Sequence, residues 1–303
     1  MKTPGLQIPF ASLKADAQFA VESPGAIAFA APNILIANSS TNSLIQIEAK
    51  TNKLLDPISN LNQPCSNPIS AFGSLWIANC GNKTLVRAEP KTGKITATLA
   101  IGAPAAMYGL AATADSLWMF TDSKTTLARI DPDSNQVVDE LRLPAACSQL
   151  AFGENSLWAA CPSVPRILRI DPQTNLVDQR IEVAAGPRAI AFGAGSVWVL
   201  CEKEGKVQRI DPKSGKVVKT IDLAVPNAGG NLAFGDGFLW IAQTGFPLTR
   251  VDPETDHERV AQQFWGEGGG FIFATPGALW LSNSGKASLW RIDPKRVLAT
   301  LAE

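Results

Sequence analysis

Residues 192–221 read Phe192-Gly193-Ala194-Gly195-Ser196-Val197-Trp198-Val199-Leu200-Cys201, then Glu202-Lys203-Glu204-Gly205, then Lys206-Val207-Gln208-Arg209-Ile210-Asp211-Pro212-Lys213-Ser214-Gly215-Lys216-Val217-Val218-Lys219-Thr220-Ile221. Each apolar run is too short for a stable helix and is closed by turn residues, so the stretch predicts strands. With Arg188 to Phe192 before it, the reading is an inner strand, a tight turn at Gly193–Gly195 and a second strand Ser196 to Leu200. A loop Glu202 to Gly205 leads to a third strand, Val207 to Ile210. A hairpin Asp211 to Gly215 then leads to an outer strand, Lys216 to Ile221.

The same unit recurs along the chain, with Leu35, Trp76, Trp118, Trp158, Trp198, Trp240 and Trp280 at the marker position. Seven copies spaced by about 41 residues have the length of a four-stranded blade. A lone four-stranded meander cannot bury two apolar faces, so each copy requires neighbours. The expectation is an all-β, seven-bladed β-propeller with four antiparallel strands per blade, forming one domain over residues 1–303. The repeat tryptophans are expected to pack between blades. For the last blade's outer strand two candidates remain open, Val297 to Leu301 and Asp16 to Val21.

Composition narrows the function classes. Lys+Arg (27) equals Asp+Glu (27), so no net field draws the chain to nucleic acid or anionic lipid. No apolar run approaches the length of a membrane span. A single histidine, His257, removes multi-histidine metal sites; it falls in Glu254-Thr255-Asp256-His257-Glu258, read as a solvated hairpin. The Gly-x-Gly turns join strand to strand and so offer no helix terminus to a phosphate. The Arg-Ile-Asp-Pro tetrads at 129–132, 169–172, 209–212 and 291–294 place an aspartate where it can accept N–H groups of its own turn. No cofactor is expected, and the chain is expected to be a monomer.

Five cysteines allow many pairings. The repeat brings Cys65 and Cys147, approaching inner strands, opposite Cys80 and Cys161, just past the second strands of the same blades. It therefore predicts disulfides Cys65–Cys80 and Cys147–Cys161, with Cys201 left as a thiol; five packed thiols are the alternative. Two bridges imply the periplasm or the cell exterior. Met1 to Gly5 lacks the apolar core of a secretory signal, so the protein is either made without one or carried one not in this chain.

Recognition in such a fold belongs to the loops entering inner strands and leaving second strands. Entry loops hold Glu22, Asn67, Tyr108, Gln149, Arg188, Asn231, Trp265 and Glu267; exits hold Asn38, Asn79, Asp122, Glu202, Gln243, Phe246 and Asn283. Of these, Tyr108, Arg188, Asn231, Trp265, Glu267, Asn67, Gln149 and Asn283 are the candidate ligand-binding set at the channel mouth. Amides, an arginine, the only tyrosine and a non-repeat tryptophan suit a small polar ligand, a peptide or a loop of another protein. The bland alternative is that they hydrate the channel.

The motifs Phe-Gly-x-x-Ser-Leu-Trp and Arg-Ile-Asp-Pro resemble those of the bacterial YVTN-type, virginiamycin B lyase-like seven-bladed propellers, many of them exported. The likeness covers about residues 22 to 301 and includes Cys65, Asn79-Cys80-Gly81 and Phe246 to Pro253. The resemblance implies, for the lyase itself, a metal-assisted elimination using a Glu-x-His entering a late inner strand and a carboxylate after the next strand. Here Glu267 matches, but Gly269 stands at the histidine position and Asn283 at the carboxylate. Proton abstraction needs a base in reach. A binding role is therefore expected, with a rearranged lyase or hydrolase using Glu267, Glu22 or Glu202 as the alternative.

Overall fold

A computed structural model describes residues 5–102, 109–121, 125–254 and 260–300. Tyr108, Asp122 and His257 lie outside them. The chain folds as a seven-bladed β-propeller, a set of seven sheets in which consecutive strands pair antiparallel. It divides into two compact units.

One unit comprises Gly25–Ser163 and Ile167–Arg180 and is built on blades one to four. Their inner strands are Pro24–Ala30, Ile69–Ala71, Leu110–Ala112 and Gln149–Gly153, and their second strands Asn33–Asn38, Ser74–Asn79, Leu117–Thr121 and Ser156–Cys161. The disulfides Cys65–Cys80 and Cys147–Cys161 form here. Each ties the stretch entering an inner strand to the end of the second strand, as the repeat register required. No helix among the described residues is long and apolar enough to cross a membrane.

The other unit comprises Met1–Pro24, Val164–Arg166 and Ile181–Glu303 and carries blades five to seven. Blade five runs Pro187–Gly193, Ser196–Cys201, Lys206–Asp211 and Lys216–Asp222, within a residue or two of the sequence reading. Blade six runs Asn231–Gly235, Phe238–Gln243, Phe246–Val251 and Gln262–Trp265. Blade seven has Ile272–Thr275, Ala278–Asn283 and Ser288–Ile292. Its fourth strand is Ala17–Ala20, antiparallel to Ser288–Arg291. Of the two candidates for that strand the N-terminal one is therefore used. Val297 lies instead in a short helix, Pro294–Ala299, whose start is capped by the Asp293 side chain accepting from Lys295 N. Pro294 at the first helical position favours this outcome over a strand.

One element escaped the sequence reading. Leu6–Pro9 adds a fifth strand to blade six, parallel to Gln262–Trp265.

The repeat motif explains itself in packing. Trp76, Trp118, Trp158, Trp198, Trp240 and Trp280 are all buried, so the packing reading holds. At 150–250 Å² of apolar surface per ring, each contributes on the order of 5 kcal/mol of transfer free energy. Trp198, Leu200, Val207 and Ile221 of blade five form one core with Leu232, Leu239, Ile241 and Val251 of blade six. Trp240 and Phe264 of blade six pack likewise with Ile272, Leu279 and Ile292 of blade seven.

The arginine of Arg-Ile-Asp-Pro, or of Arg87-Ala88-Glu89-Pro90 in blade two, covers the tryptophan of its own blade. Arg87, Arg129, Arg169, Arg209 and Arg291 place their guanidinium carbon 5.0–5.8 Å from the centroids of Trp76, Trp118, Trp158, Trp198 and Trp280. The serine two positions before each of the first four tryptophans accepts the arginine Nε–H at 2.7–2.9 Å. Arg87 also reaches Pro132 O and Asn135 Oδ1 of the next blade's hairpin, so the residue joins neighbours as well as strands. The aspartates cap their turns: Asp211 accepts from Ser214 Oγ at 2.7 Å and Lys213 N at 3.0 Å. These bonds hold its carboxyl below the ordinary carboxylate range, and Asp131 and Asp171 behave alike, led by backbone N–H donors.

Candidate functional site

Three neighbouring blade ends in the unit of blades five to seven build a continuous polar strip. It begins at Arg188, the bulged residue of blade five's inner strand, where the pairing register shifts between Pro187 and Ala189. A bulge re-aims its side chain. Arg188 Nη1 meets Glu202 Oε2 at 3.1 Å, and Arg188 Nε donates to Gly230 O at 3.2 Å. The loop presenting Arg188 is pinned from behind, because Glu204 Oε1 accepts from Ala185 N at 2.6 Å while Lys206 meets Glu204 Oε2 at 2.6 Å. That backbone bond, with the lysine, draws the Glu204 carboxyl below its usual range.

Blade six continues the strip. Gln243, ending its second strand, is fully buried; its Nε2 donates to Val225 O at 3.3 Å and Gly229 O at 3.5 Å, while its Oε1 has no partner. Close approach is possible only because neighbours lack side chains. A Cβ on Gly230 (φ +116°) would strike the Ala242 carbonyl, and one on Gly269 (φ +115°) the Gln243 carbonyl. Gly245 N donates to Gly268 O, and Gly266 N to Gly245 O, lashing the loop after blade six to the exit of its second strand.

Blade seven closes the strip. Buried Asn283 donates from Nδ2 to Glu267 O at 3.3 Å and accepts from Lys286 N at 3.0 Å. The Glu267 carboxylate is 84% exposed and stands 3.5 Å from Lys286 Nζ. The site thus has an ion pair at each end and a glycine-lined amide seat between them.

The remaining sequence candidates fall elsewhere. Asn231 opens blade six's inner strand, and its Oδ1 is taken by the neighbouring Leu232 N at 2.7 Å. Trp265 is not in an entry loop: it ends blade six's outer strand, paired with Pro9 of the added N-terminal strand, and is half-exposed at the start of the Gly266–Gly270 run. Phe246 likewise opens a third strand rather than an exit loop. Asn67 and Gln149 belong to the unit of blades one to four. Gln149 is buried opposite Ala160. Asn67 and Asn79, both near the Cys65–Cys80 bridge, each keep an amide oxygen without a partner. Asn38 spends its oxygen on Ser40 and Thr41 of its own loop.

Lys286 went unnoticed in the sequence, though it lies in the exit loop of the last repeat copy, where a charge was the available signal. Cys201 is fully buried, and burial, with Glu204 second, pushes its thiol up to about 12. It is not an activated nucleophile. Among the described residues no group of three or more His, Cys, Asp or Glu is placed to hold a metal ion.

The fold is a seven-bladed propeller, and the polar strip lies at the ends of its blades five to seven. The sequence profile of the glutamine cyclotransferase family matches residues 78–232, just over half the chain. The chain belongs to that family. No curated protein matches it. Among solved structures, virginiamycin B lyase from Staphylococcus aureus is similar at 18% identity and a TM-score of 0.75, over 91% of this chain and 97% of that one. A streptogramin B lyase structure aligns at 18% identity and a TM-score of 0.73, over 89% and 94%. BamB from Moraxella catarrhalis aligns at 11% identity and 0.65, over 92% and 96%. At these identities the likeness concerns the fold.

Proposed function

We propose that this chain is an extracytoplasmic binding propeller that takes a small polar ligand, or the end or loop of another protein, on the strip from Arg188–Glu202 to Glu267–Lys286. One observation carries the reading: two ion pairs, one on blade five and one on blade seven, flank a seat of glycines around Gln243, whose buried amide oxygen lacks a donor. Each pair offers one group to an amine and one to a carboxylate. The two disulfides support a location outside the cytoplasm. Calorimetric titration of the full chain with zwitterionic dipeptides tests it. Micromolar binding should weaken at least tenfold in Arg188→Ala and in Glu267→Gln; binding that ignores both substitutions places recognition elsewhere.

Family membership favours a second reading, cyclisation of an amino-terminal glutamine. In that reaction the α-amine nitrogen bonds to the side-chain carboxamide carbon, the C–N bond to the amide nitrogen breaks, and ammonia leaves with the proton surrendered by the amine. A carboxylate would relay that proton, and Glu267 and Glu202 are the two on the strip. Ammonia release from a glutaminyl dipeptide, reduced about a hundredfold or more in Glu267→Gln or Glu202→Gln, separates this enzyme from a binding protein.

A further inference from the structure

We propose that the cleft between the N-terminal segment and the C-terminal helix is a second binding site, for an aliphatic monocarboxylate. The cleft has a volume of about 460 Å³, within the range of small-molecule sites. It lies on the edge of blades six and seven and is independent of the strip described above.

Its lining divides by chemistry. Ile8, Leu13 and Ala299 supply an apolar side, and Ser12, Lys14, Arg296 and Thr300 a polar one, the Ser12 and Thr300 hydroxyls already donating to Pro9 O and Val297 O. The two cations are unequally engaged. Asp16 Oδ1 takes Arg296 through Nε at 2.7 Å and Nη2 at 2.6 Å, whereas Lys14 has no ion-pair partner among the described residues. One positive charge is therefore left over, which suits a monoanion.

At the helix end the Val297 carbonyl accepts from Gln262 Nε2 at 2.8 Å and from the Thr300 hydroxyl at 2.8 Å. The walls are also fixed. Phe10 stacks on Trp290 with centroids 4.8 Å apart, Leu6–Pro9 is paired to blade six, and Asp16 Oδ2 accepts from Asp293 N at 2.6 Å. A preformed cleft with an apolar side and a single uncompensated ammonium selects for a short alkyl chain ending in a carboxylate.

Hexanoate is the probe, with 1-hexanol as tail without charge and acetate as charge without tail. Calorimetry on the full chain should give saturable binding of hexanoate and none of either control at the same concentration. Lys14→Gln should weaken hexanoate about tenfold. Ala299→Phe should fill the cleft and abolish binding while leaving the unliganded melting temperature within a few degrees. Equal binding of hexanoate and hexanol, or hexanoate affinity unchanged by either substitution, overturns the proposal. Because neither residue belongs to the strip, dipeptide binding there should survive both variants.

Discussion

Trp198 and Arg209 lie directly opposite each other on the second and third strands of blade five, with the guanidinium carbon 5.5 Å from the ring centroid. Arg209 also donates to Ser196 Oγ and to Ala194 O, so one side chain covers a ring, an adjoining hydroxyl and a turn carbonyl. Trp198→Ala should lower unfolding stability by about 3–5 kcal/mol through lost transfer energy and cavity formation. Arg209→Met, which keeps a long apolar stem but loses the hydrogen bonds, should cost about 1–2 kcal/mol. Urea denaturation checks both, and a smaller loss for the tryptophan than for the arginine would contradict the packing account.

The disulfides make a separable contribution. Cys147 and Cys161 are 14 residues apart in sequence, and a loop of that size implies about 3 kcal/mol of stabilisation. The Cys147→Ser/Cys161→Ser double variant should lose about that much in urea denaturation. Thiol titration of denatured, unreduced protein should find Cys201 alone.

Cys201 gives the alkaline side a definite sign. Its thiol is raised from 9.0 to about 12, so above pH 9 the unfolded chain loses this proton while the folded chain keeps it. The contribution is complete below pH 9 and is lost progressively as pH rises toward 12. Cys201→Ala should flatten the fall of stability across that window. At pH 8 iodoacetamide should modify this thiol only after unfolding.

Asp211 sets the opposite sign in acid. Its carboxyl is held below 3.8 by Ser214 and the Lys213 backbone, so its benefit is present above that value and disappears as pH falls through the folded pKa. Asp211→Asn should be less stable than the parent at pH 7, and the gap should narrow as pH falls below 3.8. Acid titration of the melting temperature reads the convergence.

The N-terminal segment gives a local prediction. Phe10, buried and stacked on Trp290, anchors the strand added to blade six. Phe10→Ala should destabilise by about 3 kcal/mol. Amide exchange should then accelerate at Gln262–Trp265 before it does in blade five, because only the former strand loses an edge partner.

The repeat was legible because each copy states its own structure. Phe-Gly-x-Gly-Ser-x-Trp fixes a hairpin, Asp-Pro-x-x-Gly fixes the next, and the apolar content of Trp198 and Val199 demands cover from a neighbour. Register within a hairpin is local, which is why Cys65 could be matched to Cys80 and Cys147 to Cys161 across two turns. The strip was legible only in outline. Arg188, Glu267 and Asn283 were placed at loop ends, but Trp265 belonged to a strand end, and Asn231 turned to its own backbone.

What the amino-acid order determined alone was the blade, its count and its internal pairing, since those rest on turn chemistry and periodicity within about 40 residues. Tertiary structure decided which terminus completes blade seven, that Leu6–Pro9 pairs with Gln262–Trp265, and that Arg188, Gln243 and Glu267 share one strip. Those outcomes depend on which edge is free and how closely glycine backbones approach, and contacts between residues as distant as Asp16 and Arg296 leave no local pattern in the sequence.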